Sequence, residues 1–176
     1  MKALIITYEG LEECEALLTY DLLYRAGISV DLVSDKETVT SSHGLTFLPH
    51  KLLKDIDIQE YDCLILPGGM PGTLNLENDE KVQQIIDSFV ESDKYVAAIC
   101  AAPSILLHKG LLKEGKFVCY PGFESGYETA QGKAIKDGRF ITAKGLGAAF
   151  EFAYLIISSL LNEEKAQEVL AKTQYY

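Results

Sequence analysis

Residues 2–34 read "KALIITYEGLEECEALLTYDLLYRAGISVDLVS", and this stretch decides the fold. It begins with a short apolar run, continues over 11–27 with apolar residues at helical spacing, and closes with a second apolar run. Arg25 followed by Gly27 is a typical signal of a helix C-terminus. A strand, a helix and a strand in such close succession indicate two parallel strands joined by a right-handed crossover.

The same alternation continues along the rest of the chain. We predict further strands at 62–69, 95–99 and 116–120, helices at 79–92, 147–161, 163–173 and just after Cys100, and hairpins at 38–50 and 133–145. Strands that alternate with helices predict an α/β sandwich around a central, mostly parallel sheet. We find no linker, repeat or low-complexity segment, so we expect one domain that spans residues 1–176.

The charge balance limits the partners of this chain. It has 16 lysines and arginines against 26 aspartates and glutamates, a formal net charge of -10. A nucleic-acid binder needs a basic face, and an anionic membrane surface repels an acidic protein. No apolar run approaches the roughly 18–20 residues of a membrane span, and the first run is too short for a signal peptide. We therefore expect a cytoplasmic protein with neither nucleic acid nor membrane as a partner.

The four cysteines are Cys14, Cys63, Cys100 and Cys119, and no two of them form a CxxC pair. This spacing argues against a zinc site or a thioredoxin-like pair, so we expect four reduced thiols and no metal. Cys63 and Cys119 lie within predicted strands, where a free cysteine is usually part of the core. Cys14 adjoins Glu15 and is expected to be partly accessible.

Cys100 lies where the apolar run "YVAAI" (95–99) ends and a helical pattern begins. One interpretation is a buried small residue, and the alternative is a nucleophile. A helix N-terminus stabilises a thiolate by about 0.3–1 kcal/mol. One pKa unit corresponds to about 1.4 kcal/mol, so the dipole alone lowers the pKa of a thiol by less than one unit. A nucleophile at this position therefore needs a second donor.

The partner of such a nucleophile is usually a histidine. His108 lies eight residues further along the same predicted helix, about 12 Å away in axial rise. His43 and His50 lie in a predicted hairpin, and nothing in the sequence directs them towards Cys100. Glu15 lies on the helix face that should turn inward, where burial raises the pKa of a carboxyl group. A protonated Glu15 can donate to a thiolate, although acids in a first helical turn also complement the helix dipole.

The segment "LPGGMPG" (66–72) follows a predicted strand. Gly68 and Gly69 allow a close approach of the backbone and present N–H groups, as in an oxyanion hole, but Pro-Gly-Gly is also an ordinary turn. Ligands of parallel sheets bind beyond the carboxyl ends of the strands. We therefore expect this segment, the first helix and Cys100 to meet at one edge of the sheet.

Four segments carry a resemblance over essentially the whole chain: "EGLEECEALLTYDLLYRAGI" (9–28), "DCLILPGGMPG" (62–72), "AAICAAPSILL" (97–107) and "GLGAAFEFA" (145–153). With them the chain resembles the ThiJ/PfpI superfamily, and more narrowly the branch that includes the Parkinson-disease-associated protein deglycase and its bacterial homologues. The resemblance implies a flavodoxin-like three-layer sandwich, a single ThiJ/PfpI-like (class I glutamine amidotransferase-like) domain, a homodimer and no cofactor.

The resemblance also implies the residues of the site. Cys100 matches the nucleophile and Glu15 the protonated glutamate that hydrogen-bonds it. Gly69 matches the backbone donor beside the nucleophile and is followed by Met70, while residues 145–147 match the segment that closes the pocket.

The chain departs from the superfamily at two positions. The peptidase branch has a histidine directly after the nucleophile, where this chain has Ala101, so a peptidase is the least favoured function. Other relatives have a histidine that faces the cysteine, at a position where this chain has Tyr120. A phenol with a pKa of about 10 is a poor general base, so proton transfer is expected to depend on Glu15 and water.

The function implied by the resemblance is that of a cysteine-dependent enzyme for small aldehydes or glycation adducts, of the glyoxalase or deglycase type, with a stress-protective role. Its substrate would be a small-molecule aldehyde, such as methylglyoxal converted to lactate, or a glycated molecule. The alternative is a non-enzymatic redox sensor or chaperone in which Cys100 is oxidised to the sulfinic acid. Both functions need the same thiolate and the same glutamate, so the sequence leaves them open.

Overall fold

A computed structural model describes residues 1–176 of the protein. Its nine strands are β1 (Lys2–Ile6), β2 (Ser29–Ser34), β3 (Val39–Thr40), β4 (Thr46–Phe47), β5 (Lys51–Leu52), β6 (Cys63–Leu66), β7 (Tyr95–Ile99), β8 (Ala134–Asp137) and β9 (Phe140–Ala143). Its six α-helices are α1 (Glu13–Arg25), α2 (Gly72–Asn78), α3 (Glu80–Glu91), α4 (Pro103–His108), α5 (Ala149–Leu160) and α6 (Glu163–Lys172). None of these helices combines the length and the hydrophobicity that a membrane span requires.

Seven strands form one sheet in the order β5-β2-β1-β6-β7-β9-β8. All neighbours in this sheet are parallel except β8 and β9, which form the antiparallel hairpin predicted at 133–145. The hairpin predicted at 38–50 is the separate two-stranded sheet of β3 and β4. The chain therefore has the predicted flavodoxin-like fold, a mostly parallel sheet with helices on both faces.

The central strands read as continuous apolar runs because both of their faces are covered. Successive residues of β1 illustrate this, since Ile5 packs in one core and Leu4 in the other. The first core contains buried residues of α1, α5 and α6, such as Leu22, Phe152 and Val169. The second contains residues of α3 and α4, such as Ile86 and Ile105. These two apolar layers fix the helices above and below the sheet and thereby place the carboxyl ends of β1, β6 and β7 side by side.

The prediction of a strand at 116–120 is wrong, because the structure has no strand between β7 and β8. This segment is buried at Phe117 but pairs with no strand. The Val118 N–H instead donates to the Thr142 hydroxyl at 3.0 Å, and the Tyr120 N–H donates to the Cys100 carbonyl at 2.8 Å. The free edges of the sheet belong to β5 and β8. The segment 116–120 lies elsewhere, because its backbone bonds to Thr142 of the interior strand β9 and to Cys100 at the end of β7.

The cysteines are distributed as expected. Cys63 and Cys119 are buried, although Cys119 belongs to the irregular segment and not to a strand. Cys14 is exposed, and Cys100 is half-buried. The sequence prediction also omitted helix α2, which is too short for its periodicity to be read from the sequence.

Candidate active site

Cys100 follows the last residue of β7 and has a backbone φ of 65°, in the left-handed region that L-residues rarely adopt. Its N–H donates to the Ala143 carbonyl at 2.9 Å, and its carbonyl accepts the Tyr120 N–H. Two neighbouring segments thus hold the strained residue in place, which is a common feature of functional sites. Helix α4 is only six residues long and begins at Pro103, so its dipole contributes less to the thiol than the sequence indicated.

Glu15 lies in the first turn of α1 and is 1% exposed. Its Oε2 accepts the N–H of Gly68 at 2.9 Å. Burial raises the pKa of Glu15 to about 7, while hydrogen bonds to the Gly68 N–H, the Cys100 side chain and the Leu146 N–H act in the opposite direction. The carboxyl group can therefore gain or lose a proton near neutral pH, as a proton carrier must.

Burial and the negative charge of Glu15 raise the pKa of the Cys100 thiol to about 12. The backbone N–H groups of Ala101 and Gly69 lower it, because they donate to the sulfur. The two acidic groups lie side by side, one buried and one half-buried, so a single negative charge on the pair is favoured over two. A thiolate at Cys100 therefore forms with Glu15 protonated, and the carboxyl proton can then be donated to the sulfur.

The two glycines of the segment 66–72 are required by space. A Cβ at Gly68 would lie 2.5 Å from the Cys100 Cβ and 2.8 Å from the Glu15 Oε2. Gly69 has a φ of 92°, and a Cβ there would overlap the backbone N of Glu12. The backbone of 68–69 therefore fills the gap between α1 and the end of β7, which an ordinary surface turn would not do.

The loop 145–147 forms the opposite wall of the site. A Cβ at Gly145 would lie 3.8 Å from the Cys100 sulfur, 3.8 Å from the Glu15 Oε1 and 3.5 Å from the Tyr120 ring. The Leu146 N–H donates to Glu15 from the same loop. Tyr120 is 52% exposed and Met70 is 43% exposed, whereas Ala101 is buried. Met70, which follows the backbone donor Gly69, therefore exposes part of its side chain to solvent.

An open cavity of about 360 Å³ lies against this loop and is lined by Tyr120, Pro121, Lys133, Lys144 and residues 145–148. Lys133 is paired with Glu151 at 2.7 Å. Sequence reasoning missed both lysines, although Lys144 directly precedes the "GLG" motif and so could have been noticed.

No histidine contacts Cys100. His43 Nδ1 lies 3.2 Å from the Glu13 carboxylate and 3.4 Å from that of Glu12. These three side chains, which are half-buried or exposed, are the group whose geometry could hold a metal ion, and their ligand atoms lie within 4.8 Å of one another. The His50 Nδ1 accepts the N–H of Leu32, and His108 contacts other residues. The chemistry at the Cys100 sulfur is therefore limited to the Glu15 carboxyl group, backbone N–H groups and water.

Comparison with known proteins gives a consistent result. The model of the DJ-1/PfpI family matches residues 1–159. The Parkinson disease protein 7 homolog of Danio rerio is 34% identical over 97% of this chain and 95% of its own length. The glutathione-independent glyoxalase DJR-1.2 of Caenorhabditis elegans is 33% identical over 95% of this chain and 92% of its own length. The solved structure of oxidized DJ-1 from Toxoplasma gondii is 32% identical, covers 98% of this chain and 97% of its own, and superposes with a TM-score of 0.93.

Proposed function

The chain belongs to the DJ-1/PfpI family, and we propose that it is a cysteine-dependent, cofactor-independent glyoxalase or deglycase that acts on small aldehydes or early glycation adducts. The observation that carries the proposal is the position of the Glu15 carboxyl group, which is buried and hydrogen-bonded to both the Gly68 N–H and the Cys100 side chain. The relative that is named a glutathione-independent glyoxalase supports this reaction class.

Methylglyoxal serves as the model substrate. The Cys100 thiolate attacks the aldehyde carbon, a C–S bond forms, and protonated Glu15 gives its proton to the aldehyde oxygen, which yields a hemithioacetal. The N–H groups of Gly69 and Ala101 donate to the sulfur before the attack. They lie beside the carbon that reacts, where they can stabilise developing negative charge.

The second step moves hydrogen from one carbon to its neighbour. The Glu15 carboxylate removes the proton from the former aldehyde carbon, which gives an enediolate. The hydroxyl proton passes through water from the former aldehyde oxygen to the ketone oxygen. Glu15 then returns its proton to the former ketone carbon, which gives a thioester of lactate. Water then cleaves the thioester, which releases lactate and restores the thiol. A pKa of about 7 suits Glu15 for both directions of transfer at neutral pH.

The direct test is to incubate the purified protein with methylglyoxal and to measure lactate. We expect Cys100→Ser to abolish lactate formation. Cys14→Ser is the matched control, because Cys14 is the exposed cysteine of the chain and lies outside the site. Equal lactate formation by wild type and Cys100→Ser would reject the proposed enzyme.

A redox sensor is the second candidate, and the solved relative described as oxidized favours it. Two molecules of hydrogen peroxide would each transfer one oxygen atom to the Cys100 sulfur and leave as water, which gives the sulfinic acid. Protonated Glu15 would donate to one of the new oxygen atoms. Mass spectrometry after titration with peroxide tests this function, since it predicts a gain of two oxygen atoms on Cys100 ahead of the other three cysteines.

The proposal includes a cytoplasmic homodimer. Leu17 is only half-buried and lies on α1, so that a partner chain could cover it. Glu15, on the same helix, is buried within its own chain and is not available to a partner. Light scattering tests this part, and a mass near the 19.4 kDa of one chain would reject the dimer.

A further inference from the structure

Three side chains outside the Cys100 site meet in a linear arrangement on the surface. Glu77 lies in α2, His108 is the last residue of α4, and Ser125 lies in the irregular segment 109–132. The Glu77 Oε1 is 2.5 Å from the His108 Nδ1. The His108 Nε2 is 3.0 Å from the Ser125 hydroxyl oxygen. Each nitrogen of one imidazole therefore contacts a different partner.

This order of groups has a chemical consequence. A carboxylate at Nδ1 favours the tautomer that carries its proton there, because that N–H donates to the carboxylate. The lone pair of Nε2 is then free to accept the hydroxyl proton of Ser125. Acid, imidazole and hydroxyl in this sequence are the parts that activate a serine as a nucleophile.

The other two histidines lack this arrangement. The Ser42 hydroxyl and the Glu13 carboxylate both contact the same nitrogen of His43, Nδ1. A proton cannot pass through the ring when both partners share one nitrogen. The His50 Nδ1 accepts a backbone N–H. His108 is thus the histidine of this chain that links a carboxylate and a hydroxyl through its two nitrogens.

The backbone at Ser125 adds a second, independent observation. Ser125 is exposed and has a φ of 53°, in the left-handed region, and Gly126 follows with a φ of 85°. A non-glycine residue held in this region is strained and occurs preferentially at functional sites, whereas a glycine adopts a positive φ without strain. The N–H groups of Ser125 and Gly126 donate to no acceptor in the protein. Two free donors next to a nucleophile are the usual components of an oxyanion hole.

We propose that Ser125, His108 and Glu77 form a second nucleophilic site, separate from Cys100, that cleaves small activated esters. The Ser125 oxygen bonds to the ester carbonyl carbon as its proton passes to the His108 Nε2. The ester C–O bond then breaks, and the proton moves to the departing alkoxide. Water attacks the acyl-serine in the same way, which releases the acid and restores the hydroxyl. Glu77 does not touch the substrate and is a positioning residue.

The surroundings limit the substrate class. Ser125 and His108 lie on an open surface, and the His108 side chain is 52% exposed, so the site favours small esters over large ones. Glu77 and Glu124 place negative charge beside the serine, and Glu124 is held there by the Gly122 N–H. Neutral or cationic esters are therefore favoured over anionic ones.

The test uses the full chain carrying Cys100→Ala, which removes the competing thiol. The probes are a fluorophosphonate, located by peptide mass spectrometry, and 4-nitrophenyl acetate, followed by release of nitrophenol. We expect the fluorophosphonate on Ser125, and loss of both reactions in Ser125→Ala. His108→Gln should slow labelling by about 10²-fold, the lower end of general-base effects, because the site is open to water. Glu77→Gln should slow it as well, and Glu77→Asp should restore part of the rate.

Ser42→Ala is the matched control, since Ser42 is an exposed serine beside a histidine that lacks the relay, and it should label and hydrolyse as the Cys100→Ala parent does. Circular dichroism and thermal unfolding of each variant show whether it is folded. The proposal is overturned if the probe is absent from Ser125, or if it labels Ser125 and Ser42 equally. It is also overturned if a folded His108→Gln labels at the parent rate, because the three residues would then only tie segment 109–132 to α2 and α4.

Discussion

The buried carboxyl group of Glu15 is hydrogen-bonded to the side chain of Cys100, and the two acidic groups oppose each other's ionisation. The oxygen Oε2 of the same carboxyl group accepts the Gly68 N–H. The ionisation of each residue therefore depends on whether the other residue is protonated.

Glu15→Gln should lower the pKa of the Cys100 thiol below its value of about 12 by more than one unit. The amide oxygen can still accept the Gly68 N–H, its NH₂ group can donate to the sulfur, and the repelling charge is gone. The amide cannot carry a proton, so lactate formation should fall by about 10²-fold or more. Titration of thiolate absorbance measures the pKa. An unchanged pKa in this variant would remove Glu15 from contact with the sulfur.

The same carboxyl group should make stability depend on pH. Its pKa is raised by burial from 4.5 to about 7, so the folded chain holds this proton more tightly than the unfolded chain. The stabilisation is complete below pH 4.5 and is lost as the pH rises through about 7. The shift corresponds to about 3 kcal/mol in the free energy of unfolding.

Other acidic groups have lowered pKa values and act in the opposite direction, among them Glu13 and Asp31. The quantity to measure is therefore the difference between wild type and Glu15→Gln, by urea unfolding at pH 5 and pH 8. Wild type should lose stability relative to the variant between these values. An equal pH dependence of the two proteins would mean that Glu15 titrates normally.

Gly68→Ala should abolish activity without unfolding the chain. The added Cβ would lie 2.5 Å from the Cys100 Cβ and 2.8 Å from the Glu15 Oε2, so the reacting pair must separate to admit it. Gly138→Ala is the control, because this glycine of the β8–β9 turn lies outside the site and a Cβ there meets nothing within 4 Å. Its φ of 59° makes alanine cost some stability, but lactate formation should not change. Lactate formation and circular dichroism of the two variants check this prediction. Full activity in Gly68→Ala would show that the close approach is not needed.

The sequence predicted those parts of the fold that depend on local patterns. The βαβ unit of residues 2–34, the strand before Cys100 and the hairpin at 133–145 were all readable, because their apolar spacing and turn residues are local. The segment 116–120 was not, since its apolar residues show burial but not whether the segment lies along an edge of the sheet. The contact of Glu77, His108 and Ser125 depends on the path of the irregular segment 109–132, which no periodicity describes.

The candidate site divides in the same way. Cys100 and Glu15 were identified by their positions at the end of a strand and on the inner face of a helix. The need for glycine at positions 68 and 69 could be explained only with the structure, which shows the atoms that a Cβ at each position would overlap. Lys133 and Lys144 line the adjacent cavity because they flank the two ends of the β8–β9 hairpin, which lie next to each other. Neither lysine alone shows in the sequence that these two ends are adjacent.

The last prediction concerns Tyr120, the position at which the resemblance implies a histidine in other relatives. Its backbone N–H is bonded to the Cys100 carbonyl, and its ring lies 3.5 Å from the position of a Cβ at Gly145. A side chain at this position is therefore directed towards the wall of the site. An imidazole there could relay protons near neutral pH, because histidine is the side chain whose ordinary charge change falls in that range.

We therefore expect Tyr120→His to increase the rate of lactate formation, by up to about 10²-fold if the imidazole supplies general acid–base help. Tyr120→Phe should change the rate little, because it keeps the ring and removes only a hydroxyl that transfers no proton. Steady-state rates with methylglyoxal at pH 7 compare the three proteins. If Tyr120→Phe abolishes activity and the chain stays folded, the phenol takes part in the reaction. Proton transfer would then not depend on Glu15 and water alone, and the mechanism would need a second acid beside the sulfur.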